Sequence, residues 1–160
     1  MRLLLIAVGR LKAGPERELF DRYGKRLVES VRRVGVAGFE FREIEEGRAR
    51  RPEDRQREEA QAILAVVPAA ARLVLCDERG KALSSVEFAA DLRGARDAAA
   101  AAYVLVIGGP DGFDETLRKQ ASLVIAFGPM TWPHQLMRVM AAEQLYRALT
   151  ILAGHPYHRA

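Results

Sequence analysis

Short apolar runs, each separated from the next by a stretch of helical periodicity, constrain the fold of this chain more than any other feature. Unbroken apolar runs lie at residues 3–8, 73–76 (in a predicted strand at 72–76), 103–107 and 123–127, and an alternating segment lies at 39–45. Unbroken runs are typical of strands buried on both faces, as in parallel sheets connected by helices. The order therefore predicts an α/β fold, a mostly parallel sheet with helices on both faces.

The segments between these runs predict five helices, at residues 15–31, 52–67, 85–101, 114–120 and 134–152. Pro15 and Pro52 favour helix starts, because their fixed φ suits a first helical turn. Ser84 and Glu87 have the spacing of a capping box, and the polar residues 77–81 predict a turn. The length of 160 residues favours a single domain spanning residues 1–160.

Simple counts disfavour several classes of protein. The single cysteine, Cys76, excludes an intrachain disulfide and a cysteine metal cluster. The three histidines lack the spacing of a helical zinc motif, so we expect no metal. The apolar N-terminal run is too short to span a membrane, and no convincing signal-peptide cleavage site follows it. We therefore expect a cytoplasmic protein with no membrane partner.

Three strand ends in the C-terminal half lie where ligands usually bind in such sheets. Cys76-Asp77-Glu78 follows the third strand, and loops follow the fourth and the fifth. Residues 108–112, Gly-Gly-Pro-Asp-Gly, allow backbone to approach a ligand closely. They match neither the dinucleotide fingerprint nor a P-loop. Residues 128–133, stiffened by Pro129 and Pro133, are suited to walling an adenine pocket. A tight turn for the first loop and plain packing under the last helix for the second are the alternatives.

The last helix and the C-terminal residues carry polar groups of uncertain purpose. Arg138 is suited to binding a phosphate, but a surface ion pair is the commoner fate of a helical arginine. Residues 155–159, His-Pro-Tyr-His-Arg, combine groups that stack on bases and contact phosphate, with a frayed terminus as the alternative. The formal net charge of +4 is compatible with nucleic acid and equally with a mixed charged surface.

Taken together, five segments of the chain closely resemble the RlmH (YbeA) family. They are LIAVGRLK (5–12), VIGGPDG (106–112), MTWPHQLMR (130–138), EQLYRA (143–148) and HPYHR (155–159). The resemblance covers the whole chain and implies a SPOUT-class fold with a C-terminal trefoil knot, an exception to the rule against threaded loops. It also implies a homodimer that transfers a methyl group from S-adenosylmethionine to ring nitrogen 3 of a pseudouridine in large-subunit (23S) ribosomal RNA.

The resemblance also assigns site residues. It implies cofactor contacts from Cys76, Gly108, Phe127, Gly128, Pro129, Met130, Thr131 and Trp132. Cys76 stands where leucine is common, and Gly128-Pro129 replaces polar residues, so side-chain contacts at those positions differ from the family pattern. The candidate catalytic residues are Arg138, His134, Glu143 and His158. Arg138 would stabilise a developing anionic base or hold a phosphate, and the other three would carry or orient a proton.

Two rival functions follow from the same residues. A ribosome-binding protein that has lost the chemistry would keep the fold, but the cofactor loop is intact. A nucleotide-binding hydrolase would need Walker or nucleophile-elbow motifs, which the sequence lacks. The expected partner is ribosomal RNA, in the large subunit or the assembled ribosome.

Overall fold

In the computed structural model, the described residues, 1–158, form one parallel sheet of five strands in the order β2-β1-β4-β3-β5. The strands are β1 (Arg2–Val8), β2 (Phe39–Ile44), β3 (Arg72–Ala82), β4 (Ala102–Ile107) and β5 (Leu123–Ala126). The helices are α1 (Pro15–Ser30), α2 (Pro52–Val66), α3 (Ser85–Asp97), α4 (Glu115–Gln120) and α5 (His134–Leu152), with a 3₁₀ turn at Val31–Val34. Because neighbouring strands are parallel, their carboxyl ends meet at one edge.

The sheet carries a hydrophobic core on each face, which confirms the predicted layering. Alternation along β1 shows this directly: Leu3 and Leu5 belong to one cluster, and Leu4 and Ile6 belong to the other. Helices α1, α3 and α5 cover the first face, while α2 and α4 cover the second. Burial on both faces is the reason that the strands are unbroken apolar runs in the sequence.

The predicted turn at residues 77–81 is wrong, because β3 continues through it to Ala82. Pairing with β5 shifts register after Cys76 and resumes where Lys81 lies opposite Ile125. At Gly80, a Cβ atom would lie 2.4 Å from the carbonyl carbon of Ile125, so only glycine allows this close approach. The irregularity leaves polar residues of β3 at the carboxyl edge of the sheet.

Helix α3 ends four residues earlier than predicted, and its start is as predicted. Ser84 and Glu87 form the expected capping box. The chain leaves the helix after Asp97 and passes through Ala99, which has a φ of 57°. The alanine-rich sequence favours continued helix, but the chain must turn here to enter β4.

Helix α5 has the predicted bounds, while the trefoil knot and the single-domain organisation stay predictions. Arg159 and Ala160 lie outside the described residues. No helix within residues 1–158 is both long and apolar enough to cross a membrane.

Candidate active site

A cleft of about 490 Å³ opens at the carboxyl ends of β3, β4 and β5. Three segments line it: the end of β3 at residues 76–79, the loop after β4 at 107–113, and the loop between β5 and α5. This is where ligands bind in parallel sheets, and the volume is in the range of small-molecule sites.

One wall of the cleft is apolar and comes mainly from the loop that precedes α5. Phe127, Met130 and Trp132 contribute it, and the Met130 side chain is exposed. The indole Nε1–H of Trp132 donates to the carbonyl of Phe127 at 3.0 Å, which closes the loop on itself. The hydroxyl of Thr131 lies 3.4 Å from the carboxylate of Glu78 across the cleft. The loop therefore presents apolar surface that is suited to a planar ring.

The opposite wall is polar and comes from the end of β3. Asp77 forms an ion pair with Arg118 and accepts the backbone N–H of Arg79 at 2.9 Å. Burial alone would raise the pKa of Asp77, but these hydrogen bonds outweigh it and lower that pKa. Asp77 is therefore charged at neutral pH, but Arg118 and Arg79 offset its charge, and Glu78 is a further acid at this rim.

Gly108 lies at the floor of the cleft, at the end of β4. A Cβ atom at this position would lie 3.0 Å from the ring of Phe113, which is itself buried. A larger side chain would therefore displace either the ring or the ligand.

His134, the first residue of α5, joins this helix to the floor of the cleft. Its imidazole Nε2 lies 2.6 Å from the carbonyl oxygen of Gly108 and donates to it. Burial lowers the pKa of His134, and the hydrogen bond to Gly108 opposes that effect only in part. A neutral imidazole with its proton on Nε2 leaves Nδ1 free to accept one.

Arg138 lies one turn further along α5 and is 1% exposed. Its guanidinium donates to the carbonyls of Val8 and Gly9, both at 2.8 Å, and to the carboxylate of Glu43 at 2.8 Å. Burial lowers the pKa of Arg138, and the Glu43 carboxylate opposes that effect. The side chain thus clamps α5 to the ends of β1 and β2, and it lies outside the residues that line the cleft. A surface ion pair, the alternative named above, is not what forms.

Glu143 lies in the second half of α5 and belongs to a separate group of side chains. It accepts hydrogen bonds from Arg147 Nε at 2.9 Å and from the hydroxyl of Tyr157 at 3.1 Å. The Tyr157 ring packs edge-on against Tyr146, with 4.8 Å between centroids, and its hydroxyl lies 3.3 Å from that of Tyr23. We call these five residues the tail cluster. They lie outside the cleft lining.

The remaining tail residues are placed less tightly. His158 is half-buried, and its Nδ1 has no hydrogen-bond partner within residues 1–158. His155 is exposed and accepts the backbone N–H of Tyr157 at 3.1 Å. The tail residues 155–158 therefore dock on α5 and α1 of their own chain. Arg159, the fourth expected substrate contact in the tail, lies outside the described residues.

The structure brings together most of the residues expected to bind cofactor. Seven of the eight line the cleft, namely Cys76, Gly108, Phe127, Gly128, Met130, Thr131 and Trp132; Pro129 does not. Of the candidate catalytic residues, His134 lines the cleft, and Arg138, Glu143 and His158 do not. The sequence placed Cys76-Asp77-Glu78 at a strand end where ligands bind, but Asp77 and Glu78 were not assigned as site residues, because residues 77–81 were interpreted as a turn. The rule that ligands bind at strand ends was the available signal.

The family model and the curated relatives that this chain resembles point to the same family. A family model described as "Predicted SPOUT methyltransferase" matches residues 1–158. Curated relatives named "Ribosomal RNA large subunit methyltransferase H" include that of Rhodopseudomonas palustris (strain BisA53), 54% identical over 100% of both chains. Another, from Methylorubrum extorquens (strain PA1), is 56% identical over 99% of this chain and 97% of the relative. Among solved structures, the SpoU methyltransferase AviRb of Streptomyces viridochromogenes in complex with AdoMet is similar at 11% identity and a TM-score of 0.40, over 94% of this chain and 60% of that one.

Proposed function

The chain belongs to the SPOUT methyltransferase family, and from this premise we propose that it is a homodimeric enzyme that methylates ring nitrogen 3 of a pseudouridine. It is a large-subunit ribosomal RNA methyltransferase that uses S-adenosylmethionine, as the name of relatives more than half identical over its full length indicates. The nucleotide, the atom, the dimer and the residue roles are the proposal.

The cleft is the observation that carries the proposal. Its residues fit S-adenosylmethionine: the apolar wall at Phe127, Met130 and Trp132 suits an adenine ring. The carboxylate of Glu78 at the polar wall suits the cationic part of such a ligand, because opposite charges attract. S-adenosylmethionine supplies a methyl group that is already activated by a positively charged sulfur.

The residues of this chain then have two tasks, alignment and proton removal. The ring nitrogen must lie in line with the methyl carbon and the sulfur, which requires rigid walls. The bond from His134 to Gly108 and the clamp from Arg138 hold α5 and its preceding loop against the sheet. Arg138 thereby acts as a positioning residue, rather than as a group that touches the substrate.

The proton on the ring nitrogen needs an acceptor, and three residues remain candidates. His134 lines the cleft of its own chain and offers Nδ1. Glu143 and His158 lie outside that cleft, so we propose that they act in the cleft of the second chain of a dimer. The tail cluster then faces the RNA, and the cofactor loop faces the methyl donor, so that one site needs both chains.

Exposed apolar surface supports the dimer. Met130, Trp132 and Leu136 expose apolar side chains around the start of α5. Apolar patches that stay exposed in a single chain usually mark an interface, and two-fold pairing is the commonest way to cover one. Light scattering at micromolar concentration should give the mass of two chains, and the mass of one chain would contradict this part of the proposal.

Methyl transfer tests the activity directly. The protein is incubated with S-adenosylmethionine carrying a labelled methyl group and, in parallel, naked ribosomal RNA, large subunits or whole ribosomes. We expect label at one pseudouridine of the large-subunit RNA, on ring nitrogen 3 when the nucleoside is analysed. Label at another base or atom would overturn the proposed specificity. Binding of S-adenosylmethionine without any transfer would favour the rival ribosome-binding protein.

A further inference from the structure

Two loops on the other side of β4 border the cleft and carry exposed cations. They follow β1 (residues 9–14) and β2 (residues 45–51), and the sheet order β2-β1-β4 places them at the same edge as the cleft. We call their five cations the basic edge: Arg10, Lys12, Arg48, Arg50 and Arg51. All five side chains belong to exposed residues.

The basic edge is joined directly to the cleft through the start of α2. Arg55 forms two hydrogen bonds with the carboxylate of Asp111, from Nε at 2.7 Å and from Nη2 at 3.0 Å. Gln56 donates to the carbonyl of the same residue at 2.6 Å. Asp111 lines the cleft, so the basic edge begins at its rim.

The backbone of the second loop is fixed, which holds its cations in place. The N–H of Gly47 donates at 2.9 Å to Glu59, a buried carboxylate on α2. Arg55 donates through Nη1 to the carbonyls of Ala49 and Arg50, both at 3.2 Å. A loop with this many internal bonds loses little entropy when a ligand binds.

Nearby acids offset part of this positive charge but do not pair with all of it. Arg10 and Arg48 share one carboxylate, Glu45, at 3.7 Å and 3.0 Å. Within residues 1–158, Arg50 and Arg51 form no ion pair within 4.0 Å. Two free guanidinium groups on a fixed loop are suited to phosphates, which accept paired hydrogen bonds from arginine.

Other acids in the two loops and on α2 offset part of this charge. Glu46 is exposed, with one carboxylate oxygen 2.7 Å from where a Cβ of Gly9 would be, and Glu58 accepts the backbone N–H of Arg48 at 2.8 Å. Asp54 is paired with Arg57 at 2.6 Å. Glu53 is the exposed acid that remains in the first turn of α2.

We infer that the basic edge docks the phosphate backbone of the RNA segment that flanks the target nucleotide. The inference rests on the proposed function, since a base that enters the cleft brings its neighbouring phosphates to the rim. Phosphate contacts position the nucleic acid without reading its sequence. The basic edge therefore sets the affinity for RNA, while the cleft sets the chemistry.

The double variant Arg50→Ala/Arg51→Ala tests this inference. Arg51 precedes α2 without a side-chain cap bond, so its removal should not weaken the helix. The matched control, Arg32→Ala/Arg33→Ala, removes the same charge from the exposed turn that leads to β2, at the opposite edge of the sheet. Calorimetry with S-adenosylmethionine should give wild-type affinity for both variants.

We expect the KM of the Arg50/Arg51 variant for ribosomal particles to rise at least about fivefold, with kcat unchanged, because charge contacts act on encounter and affinity. The salt dependence of binding to a labelled RNA hairpin should become shallower by roughly 1.5 in log–log slope for two lost phosphate contacts. The control variant should keep the wild-type KM and slope.

Three results would overturn the inference. Equal losses in both double variants would show an effect of net charge alone. An unchanged KM in the Arg50/Arg51 variant would show that the loop is a solvated surface. Loss of affinity for intact large subunits, with wild-type affinity for naked RNA, would identify an acidic ribosomal protein as the partner. Failure of the proposed function is distinct, because the wild-type protein would then methylate no ribosomal RNA while the hairpin assay still reports on the basic edge.

Discussion

The two ends of α5 place their polar groups in contrasting surroundings. At the beginning of the helix, His134 and Arg138 are bonded to backbone carbonyls of their own sheet. Further along, Glu143 and Arg147 are bonded to each other and to the tail through Tyr157, outside the cleft. The first end completes the fold around the cleft, and the second presents a polar cluster with no ligand of its own. The contrast predicts that mutations at the first end affect stability and cofactor binding, and that those at the second affect methyl transfer.

Replacing Arg138 with alanine should have the largest effect and should break the first end. The variant removes the guanidinium donor from two carbonyls and leaves the Glu43 carboxylate with only the backbone N–H of Leu11, at a cost of about 3 kcal/mol in the free energy of unfolding. Urea unfolding followed by circular dichroism measures it. The matched control, Arg147→Ala, removes a partly exposed pair at the second end and should cost less than about 1 kcal/mol.

Wild-type stability of the Arg138→Ala variant together with a loss of methyl transfer would contradict the positioning role of Arg138. If Arg138→Ala unfolds at the wild-type urea concentration yet no longer transfers methyl groups, Arg138 acts in the chemistry as a group that touches the substrate. The clamp to Val8 and Gly9 would then be incidental.

Replacing Gly108 with valine tests the floor of the cleft, which the first end supports. The side chain would press on the Phe113 ring, since even a Cβ lies at 3.0 Å from it. We expect affinity for S-adenosylmethionine to fall about 30-fold, or about 2 kcal/mol, in a protein that still folds. Calorimetry measures the affinity, and Gly24→Val, at a helix position where a Cβ meets nothing within 4 Å, is the control. Unchanged affinity would place the cofactor elsewhere.

Removal of residues 157–160 tests the second end. The cleft lining and the buried apolar residues of α5 are untouched, and the contact of the Tyr157 ring with Tyr146 that is lost is partly exposed, so folding and S-adenosylmethionine binding should persist. Methyl transfer should fall more than about tenfold, or about 1.4 kcal/mol of transition-state stabilisation. A normal rate would mean that the tail is structural only, and lost cofactor binding would mean that the tail closes the cleft.

Mixing two inactive variants separates action within a chain from action between chains. The Gly108→Val protein and the truncated protein are unfolded together and refolded as mixed dimers. If the tail acts in the partner's cleft, each mixed dimer regains one complete site, and the mixture recovers about one quarter of the wild-type rate. If the tail acts in its own cleft, every site keeps one defect and the rate stays low. The recovered rate therefore shows whether the tail acts in the cleft of its own chain or in that of its partner.

The same contrast shows what the sequence could predict. The strands, the start of α3 and both ends of α5 follow from apolar periodicity and capping residues, which are local. The extension of β3 through residues 77–82 depends on pairing with β5, and the burial of Arg138 depends on carbonyls about 130 positions away. Such contacts are set by the tertiary fold, so residue type and spacing alone do not reveal them.

The site divides in the same way. The resemblance, and not residue spacing, assigns the expected cofactor contacts, and seven of these eight residues line the cleft. Asp77 and Glu78 were placed at a strand end but not assigned to the site, because residues 77–81 look like a turn until β5 is placed beside them. The knot rests on resemblance alone, since neither periodicity nor composition carries information about threading. The dimer rests on the resemblance and on exposed apolar surface at the start of α5.

The smallest expected effect is on pH dependence, and it again distinguishes the two ends. Burial lowers the pKa of His134 in the folded chain below its value in the unfolded chain, which is about 6.5. As the pH falls through about 6.5, the imidazole binds a proton more readily in the unfolded chain than in the folded chain. The free energy of unfolding that the neutral, buried imidazole contributes is therefore lost towards acid pH. His134→Gln should therefore show a shallower fall in unfolding free energy between about pH 7.5 and 5.5, by less than about 1 kcal/mol.

Glu59, whose pKa burial raises, contributes in the opposite sense in both proteins, so the difference between them isolates the imidazole. His155→Gln removes an exposed imidazole beyond the other end of α5 and should keep the wild-type slope. If the two variants change the slope equally, then His134 is no more tightly bound to the sheet than a residue of the tail, and the contrast between the two ends of α5 fails at its first residue.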